Sequence, residues 1–330
     1  MTLLSVLDLA PITEGSDAAQ SFKNSVEIAQ LAEELGYNRY WMAEHHNIPG
    51  IASAATAVLL SHVGAHTKTI RIGSGGVMLP NHAPLVIAEQ FGTLASLYPD
   101  RIDLGLGRAP GTDGLTAQAL RRAMNANVDS FPRDVLELRQ YFADPEPGQK
   151  IQAVPGAGLK VPLWILGSSL YGAELAAHFG LPYAFASHFA PTDLRQALHL
   201  YRQNFKPSEQ LDRPYVMVAM NLQAADTREQ AEHNATSLMQ GVLGLARGMP
   251  IRLPPPIEGF ADRLGMQERA AISRFMTCTA LGDADDVLAR LQEFKAETDA
   301  DEIILTAQIF DHQARLRAFE IAARAMSELA

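Results

Sequence analysis

IRIGSGGVMLPNHAPLVIAEQFGTLASLYPDRIDLGL, residues 70–106, holds the architecture in one unit. The apolar run over 70–74 reads as a strand, 84–97 reads as a helix, and 102–106 reads as a second strand. Two strands joined through a helix are the crossover unit of a parallel sheet. The same rhythm runs outward in both directions. Upstream, strands are expected over 4–9 and 40–43. The helix over 22–35 is closed by Gly36, and a second helix covers 53–65. Downstream, a helix is expected within 125–142. Strand–helix pairs then follow at 162–166 and 171–179, at 183–186 and 192–204, at 215–222 and 227–244, and at 302–306 and 311–327. That makes eight pairs, the count of an α/β (β/α)8 TIM barrel. Strands of about five residues suit barrel staves.

Two segments break the rhythm. DPEPGQKIQAVPGAGL over 144–159 is rich in Pro and Gly and reads as a loop. LARGMPIRLPPPIEGFADRLGM over 245–266 contains Pro254-Pro255-Pro256 and cannot be one helix. This Pro-rich insertion near the C-terminal third reads as a lid over the barrel mouth or as a solvent-exposed connection. With no other boundary, 1–330 is expected to be a single barrel domain.

The bulk numbers narrow the function classes. The chain has 330 residues, 47% of them apolar and 19% charged, enough for a large core and against extensive disorder. Lys and Arg number 27 against 37 Asp and Glu, a formal charge of -10, which argues against a nucleic-acid partner. One cysteine, Cys278, rules out an intramolecular disulfide and a thiolate metal cluster. The N-terminus lacks a basic region and meets Asp8 early, so it does not read as a signal peptide. The longest apolar stretch, 51–65, is too short and mixed to span a bilayer. A cytoplasmic protein is expected.

In a barrel the strand C-termini carry the active site, so polar residues there are the first candidates. Glu44-His45-His46 ends strand 2; one histidine could change its proton state near neutral pH. The pair reads equally as surface loop residues that cap a helix, and a metal site lacks further ligands. Gly75 and Gly76 end strand 3 and let a flat ligand approach the backbone. Gly107-Arg108 ends strand 4 and offers one guanidinium suited to phosphate, or a plain surface arginine. Leu166, Ser168, Ser169 and Gly172 link strand 5 to a helix, as capping residues or as an anion-binding turn. Ser187-His188-Phe189 after strand 6 could line a pocket.

SVLDLAPI (5–12), YWMAEHHN (40–47), IRIGSGGVMLPNHAP (70–84) and YPDRIDLGLGRAPGTD (98–113), in this order, resemble the bacterial luciferase-like monooxygenase family. The resemblance covers most of the chain and is strongest over 5–113. It implies a TIM barrel that binds reduced FMN at the C-terminal face. It places the catalytic histidine on His45, with Glu44 positioned either to orient it or to point away. A non-prolyl cis peptide under the flavin ring falls on Gly75-Gly76. The phosphate falls to Arg108, preceded by Gly107, and to the turn of Leu166, Ser168, Ser169 and Gly172.

The implied reaction is FMN-dependent, two-component monooxygenation. A separate NAD(P)H-dependent flavin reductase supplies reduced FMN. O2 is co-substrate, and a C4a-peroxyflavin oxidises a small organic substrate. The resemblance also implies a homodimer formed through helices near strands 2 and 3, where small residues over 52–57 permit close packing. Three departures bear on activity. Gly107 stands where luciferases carry a reactive cysteine, Ser168 where they carry an acid, and 245–266 replaces their lid segment. Light emission and a long-chain aldehyde substrate are therefore not expected, while the flavin site stands. Rival readings are an F420-dependent hydride-transfer oxidoreductase and a non-catalytic flavin-binding protein. Against the latter, Glu44, His45 and Arg108 are all present. A metal-dependent barrel hydrolase is a further class, discarded if activity survives EDTA.

Overall fold

The computed structural model describes residues 2–109, 111–120 and 130–329. Strands β1 (Leu3–Asp8), β2 (Arg39–Met42), β3 (Arg71–Met78), β4 (Ile102–Gly107), β5 (Leu163–Gly167), β6 (Tyr183–Phe185), β7 (Val216–Ala224) and β9 (Glu302–Thr306) pair in parallel. β6 bonds to β7 and β9 bonds to both β7 and β1, which closes an eight-stranded barrel. The β/α rhythm read from residues 70–106 thus propagates around the whole ring. The helices are α1 (Ala18–Glu34), α2 (Thr56–His66), α3 (Pro84–Leu97), α4 (Gly114–Leu120), α5 (Phe131–Phe142), α6 (Leu170–Phe179), α7 (Leu194–Asn204), α8 (Arg228–Ala246), α9 (Met266–Phe275), α10 (Ala284–Thr298) and α11 (His312–Arg324).

Local chemistry sets the element ends. Asp17 accepts a hydrogen bond from Gln20 N at 2.9 Å and opens α1. Gly36, at φ 80°, closes it, with Tyr37 N donating to Ala32 O at 2.9 Å. Along each strand, alternate residues face the helices or the barrel axis. Val6, Tyr40, Ile72, Leu104, Ile165 and Val218 pack against helices in one large core. Leu7, Leu9, Trp41, Ala43, Trp164, Ala184, Met217, Ala219 and Ile304 form a second core inside the barrel. Trp41 and Trp164 meet edge to face there, 5.0 Å apart.

The C-terminal third is richer than the eight expected pairs. A ninth strand, β8 (Thr279–Gly282), and helices α9 and α10 occupy 266–298, which the sequence pattern left unassigned. Four residues are too few to show an alternation, and β8 pairs only the upper end of β7, from Asn221↔Thr279 to Ala224↔Gly282. β8 is therefore an addition to the barrel, not a stave. β3 also differs: it runs on to Met78 through a register shift between Ser74 and Val77. Gly75-Gly76 thus lies inside the strand rather than in a turn after it. The segment 144–159 is a loop as expected. The expected helix within 125–142 is α5 from Phe131; residues 125–129 lie outside the described residues.

Residues 245–266 form a strap over loops at the C-terminal end of the barrel. Leu253 N donates to Ile12 O at 3.0 Å, and Glu14 N donates to Leu253 O at 2.8 Å. A Cβ at Gly50 would lie 2.4 Å from Ile251 O, so only glycine allows this approach. Among the described residues no helix is long and apolar enough to cross a membrane.

Candidate active site at the C-terminal end of the barrel

Alternation continues past β2. Trp41 and Ala43 face the axis, which places His45 on that side and Glu44 on the other. Glu44 is 2% exposed and holds His46 Nε2 at 2.8 Å, His82 Nε2 at 2.9 Å and Met78 N at 3.0 Å. Burial opposes its charge, but the bonds to His82, His46 and Met78 N outweigh burial and hold its carboxyl below the usual range. The sequence left Glu44 free to orient His45 or to point away. The structure shows that it braces His46 and His82 instead. Met78 and His82 lie at and just beyond the end of β3, so Glu44 ties the ends of two staves together.

His45 is oriented by the backbone. Its Nδ1 lies 3.3 Å from Gly111 O, and because a carbonyl only accepts, this contact assigns the proton to Nδ1. Nε2 then carries the lone pair. Burial lowers the His45 pKa from its ordinary value, so the ring is neutral at pH 7. Gly111 belongs to the loop after β4, which is stitched to the loop after β2 by Thr112 Oγ1 donating to His46 O at 2.8 Å.

Glycines keep the strands close beside this histidine. The Gly75-Gly76 peptide is cis. A Cβ on Gly75 would meet Leu7 Cδ1 at 2.7 Å, and one on Gly76 would meet Gly105 O at 2.6 Å. Leu166 lies against Gly76 and Gly105, where added Cβ atoms would approach it at 3.0 and 2.7 Å. Met78 Sδ fills the room at Gly107, 2.8 Å from where a Cβ would sit.

Arg108 and the turn after β5 come together because Gly107 pairs with Leu166 across β4 and β5. The Arg108 guanidinium lies over the Tyr171 ring at 4.0 Å, a cation–π contact. Among the described residues no carboxylate pairs with it. Ser169 caps α6 with its backbone only, since its side chain makes no capping bond, and Tyr171 sits in the first turn. The first backbone N–H groups of a helix have no intrahelical acceptor and attract anions. A free guanidinium beside a helix start with two available hydroxyls, Ser168 and Ser169, fits a phosphate, and the bare glycine backbone fits a flat ring. The sequence reading missed Tyr171, although an aromatic three residues after Ser168 was the available signal.

The opposite arc of the mouth carries His188, Asn221, Gln223 and Thr306. All are buried, and His188 Nδ1, Asn221 Oδ1, Gln223 Oε1 and Thr306 Oγ1 have no hydrogen-bond partner among the described residues. Burial, with a smaller contribution from the His45 charge, pushes the His188 pKa down to about 3. Of these four, the sequence pointed only to His188. Asn221, Gln223 and Thr306 sit inside apolar strands, where nothing local marks them. No group of three His, Cys, Asp or Glu among the described residues is arranged to hold a metal ion.

Comparison with known proteins adds an independent line. The family model described as luciferase-like monooxygenase matches residues 2–302. A luciferase-like monooxygenase of Escherichia coli (strain K12) is 56% identical over 325 residues, covering 98% of this chain and 97% of that protein. An N-acetyl-S-alkylcysteine monooxygenase of Bacillus subtilis (strain 168) is 37% identical over 243 residues, 72% of each chain. The crystal structure of apo-MsnO8 superposes with a TM-score of 0.87 at 34% identity, covering 100% of this chain and 99% of that one.

Proposed function

The chain belongs to the luciferase-like monooxygenase family, and from that premise we propose that it is a two-component, FMN-dependent monooxygenase acting on a small organic substrate. The observation that carries the cofactor assignment is Arg108, stacked on Tyr171 beside the α6 N-terminus with no carboxylate partner among the described residues. When bound, reduced FMN would supply the electrons that activate O2.

The chain's own residues divide the remaining work. Arg108 and the first N–H groups of α6, with Ser168 and Ser169, hold the phosphate and set the position of the ring. Gly75, against Leu7, Gly76, against Leu166, and Gly107, against Met78, add no side chain of their own where a planar group would lie. Gly172 lets α6 pack close to β5 and β6; a Cβ there would meet the Tyr183 ring at 3.3 Å. His45 is the catalytic residue. Its Nδ1 proton is committed to Gly111 O, so Nε2 accepts a hydrogen bond or a proton from the reacting oxygen and can return it. Glu44 acts through other groups, as a positioning residue that fixes His46, His82 and the end of β3 around His45. The 245–266 strap shields one side of the mouth from water, which would otherwise divert activated oxygen to peroxide.

An NAD(P)H-dependent flavin reductase completes the system in this reading. Val58 on α2 and Val86 on α3, 69% and 45% exposed, provide apolar surface for a homodimer through these helices. The test is anaerobic titration with reduced FMN, followed by oxygen uptake with NAD(P)H and a flavin reductase. Binding, with uptake above that of the reductase alone, supports the proposal. Absence of binding, or uptake no greater than the reductase's own, overturns it.

A further inference from the structure

The polar atoms opposite the phosphate cradle that lack a partner among the described residues share one face of the barrel mouth. Asn221 pairs in register with Thr306 across β7 and β9. Met217 and Ala219, four and two residues before Asn221, line the barrel interior together with Ile304, two before Thr306. Asn221, Gln223 and Thr306 therefore point toward the axis at the mouth. His188 follows β6 and is tied to the same level, because Asn221 Nδ2 donates to His188 O at 2.6 Å. Gln223 Nε2 reaches Gln308 O at 3.4 Å and thereby leaves its own oxygen free. These side chains are 0–9% exposed. A buried polar group without a partner costs free energy, and native proteins rarely leave four so close together.

We propose that His188, Asn221, Gln223 and Thr306 form the substrate-recognition patch, and that it takes a neutral headgroup that donates hydrogen bonds, a carboxamide or a hydroxyl. This rests on the monooxygenase reading above. The chemistry of the free atoms selects the class. Two are amide oxygens, which only accept, and one is a hydroxyl, which does both. The fourth belongs to an imidazole that burial keeps neutral. Among the described residues no Lys or Arg bonds to them, and Arg315, behind β9, is spent on Asp8 at 2.7 Å and on Ala307 O at 2.7 Å. A carboxylate or sulfonate would enter unpaired, which is costly in a buried site. An N–H or O–H donor would satisfy atoms that now have no partner.

The test compares three probes with the same six-carbon acyl chain, hexanamide, methyl hexanoate and hexanoate, by equilibrium dialysis against the full-length protein with FMN present. Hexanamide is expected to bind at least about tenfold more tightly than either, from two or more hydrogen bonds of about 2- to 10-fold each. Thr306→Val removes one free atom at nearly constant volume. It is expected to cut the amide preference about threefold and to raise the thermal midpoint, because the lost hydroxyl had no partner. Hexanoate binding as well as hexanamide overturns the proposal. So does an unchanged preference in Thr306→Val, or a lowered midpoint, which assigns the four atoms to structural water. Flavin fluorescence on the same samples separates the two readings. FMN binding without headgroup preference overturns this inference alone, whereas no FMN binding overturns the reading it rests on.

Discussion

The two ends of the barrel interior treat polar groups in opposite ways. At the N-terminal end, Glu302 accepts from Arg39 Nε at 3.0 Å, Asn38 Nδ2 at 3.0 Å, Tyr215 Oη at 2.8 Å and Ser5 Oγ. Asp103 accepts from Arg39 Nη1 at 2.6 Å, Arg71 Nη2 at 2.6 Å and Trp41 Nε1 at 3.4 Å. Burial opposes the Arg39 charge, but Glu302 and Asp103 outweigh it and hold its pKa above the ordinary value. Charge is saturated there, so that end is closed chemically as well as sterically. At the C-terminal end, His188, Asn221, Gln223 and Thr306 keep buried atoms, and Arg108 a charge, with no partner among the described residues. The difference teaches how the barrel distributes its polar groups: paired groups lock the staves at one end, and buried groups without a partner among the described residues gather at the other, the end where barrels of this kind carry their sites.

Substitutions should therefore sort by end. His45→Ala is expected to lower oxygen-dependent turnover by about 10²–10⁴-fold with little change in thermal midpoint, measured by oxygen uptake and calorimetry. Unchanged turnover would remove His45 from the mechanism. At the other end, Glu302→Gln leaves Arg39 and its neighbours short of a charge, at an expected cost of about 3–5 kcal/mol in urea denaturation. Turnover per folded molecule should hold. If activity fell while stability held, the division between the ends would fail.

Arg108→Ala probes the free charge at the mouth. The expected loss is about 10- to 100-fold in FMN affinity, the span of a hydrogen-bonded charge, read by flavin titration. Stability should stay near wild type, because no carboxylate among the described residues is left behind. Equal affinity would place the phosphate elsewhere.

The smallest effect is a pH dependence. His188 titrates at about 3 in the folded chain, below the roughly 6.5 of an unfolded histidine. The unfolded state therefore binds more protons below pH 6.5, and stability is lost as pH falls from there toward 3. Between pH 6.5 and 5 this loss is about 2 kcal/mol for one such group, measured as a shift of the urea midpoint. His188→Leu should remove that increment. An unchanged midpoint shift would assign the acid sensitivity to other groups, such as the Asp8–Arg315 pair.

Legibility followed the same divide. The arc from β2 to β5 could be read because its chemistry is contiguous in the chain. Glu44-His45-His46, Gly75-Gly76, Gly107-Arg108 and Ser168-Ser169 each fall within a few residues at a strand end. On the arc from β6 to β9 only His188 stood out. Asn221 and Thr306 are 85 residues apart and become neighbours only through the β7–β9 register. Each reads alone as an ordinary polar residue in an apolar strand. Glu44 shows the same limit at short range. Its sequence position suggested His45 as a partner, but alternation turned it toward His82 and Met78 N, 38 and 34 residues away.

The sequence by itself determined the barrel, its strand–helix periods and the glycine, arginine and hydroxyl positions on one arc of the mouth. These depend on hydrophobic period and on local backbone chemistry, which act over a few residues. The tertiary structure alone decided that β8 is an extra strand, that the Pro-rich strap lies over the loops after β1 and β2, and that Glu44 braces a different pair of histidines. It also decided which polar groups are matched and which are left free. Hydrogen-bond satisfaction depends on what lies within about 3 Å in space, and that distance is set by barrel closure and register rather than by position along the chain.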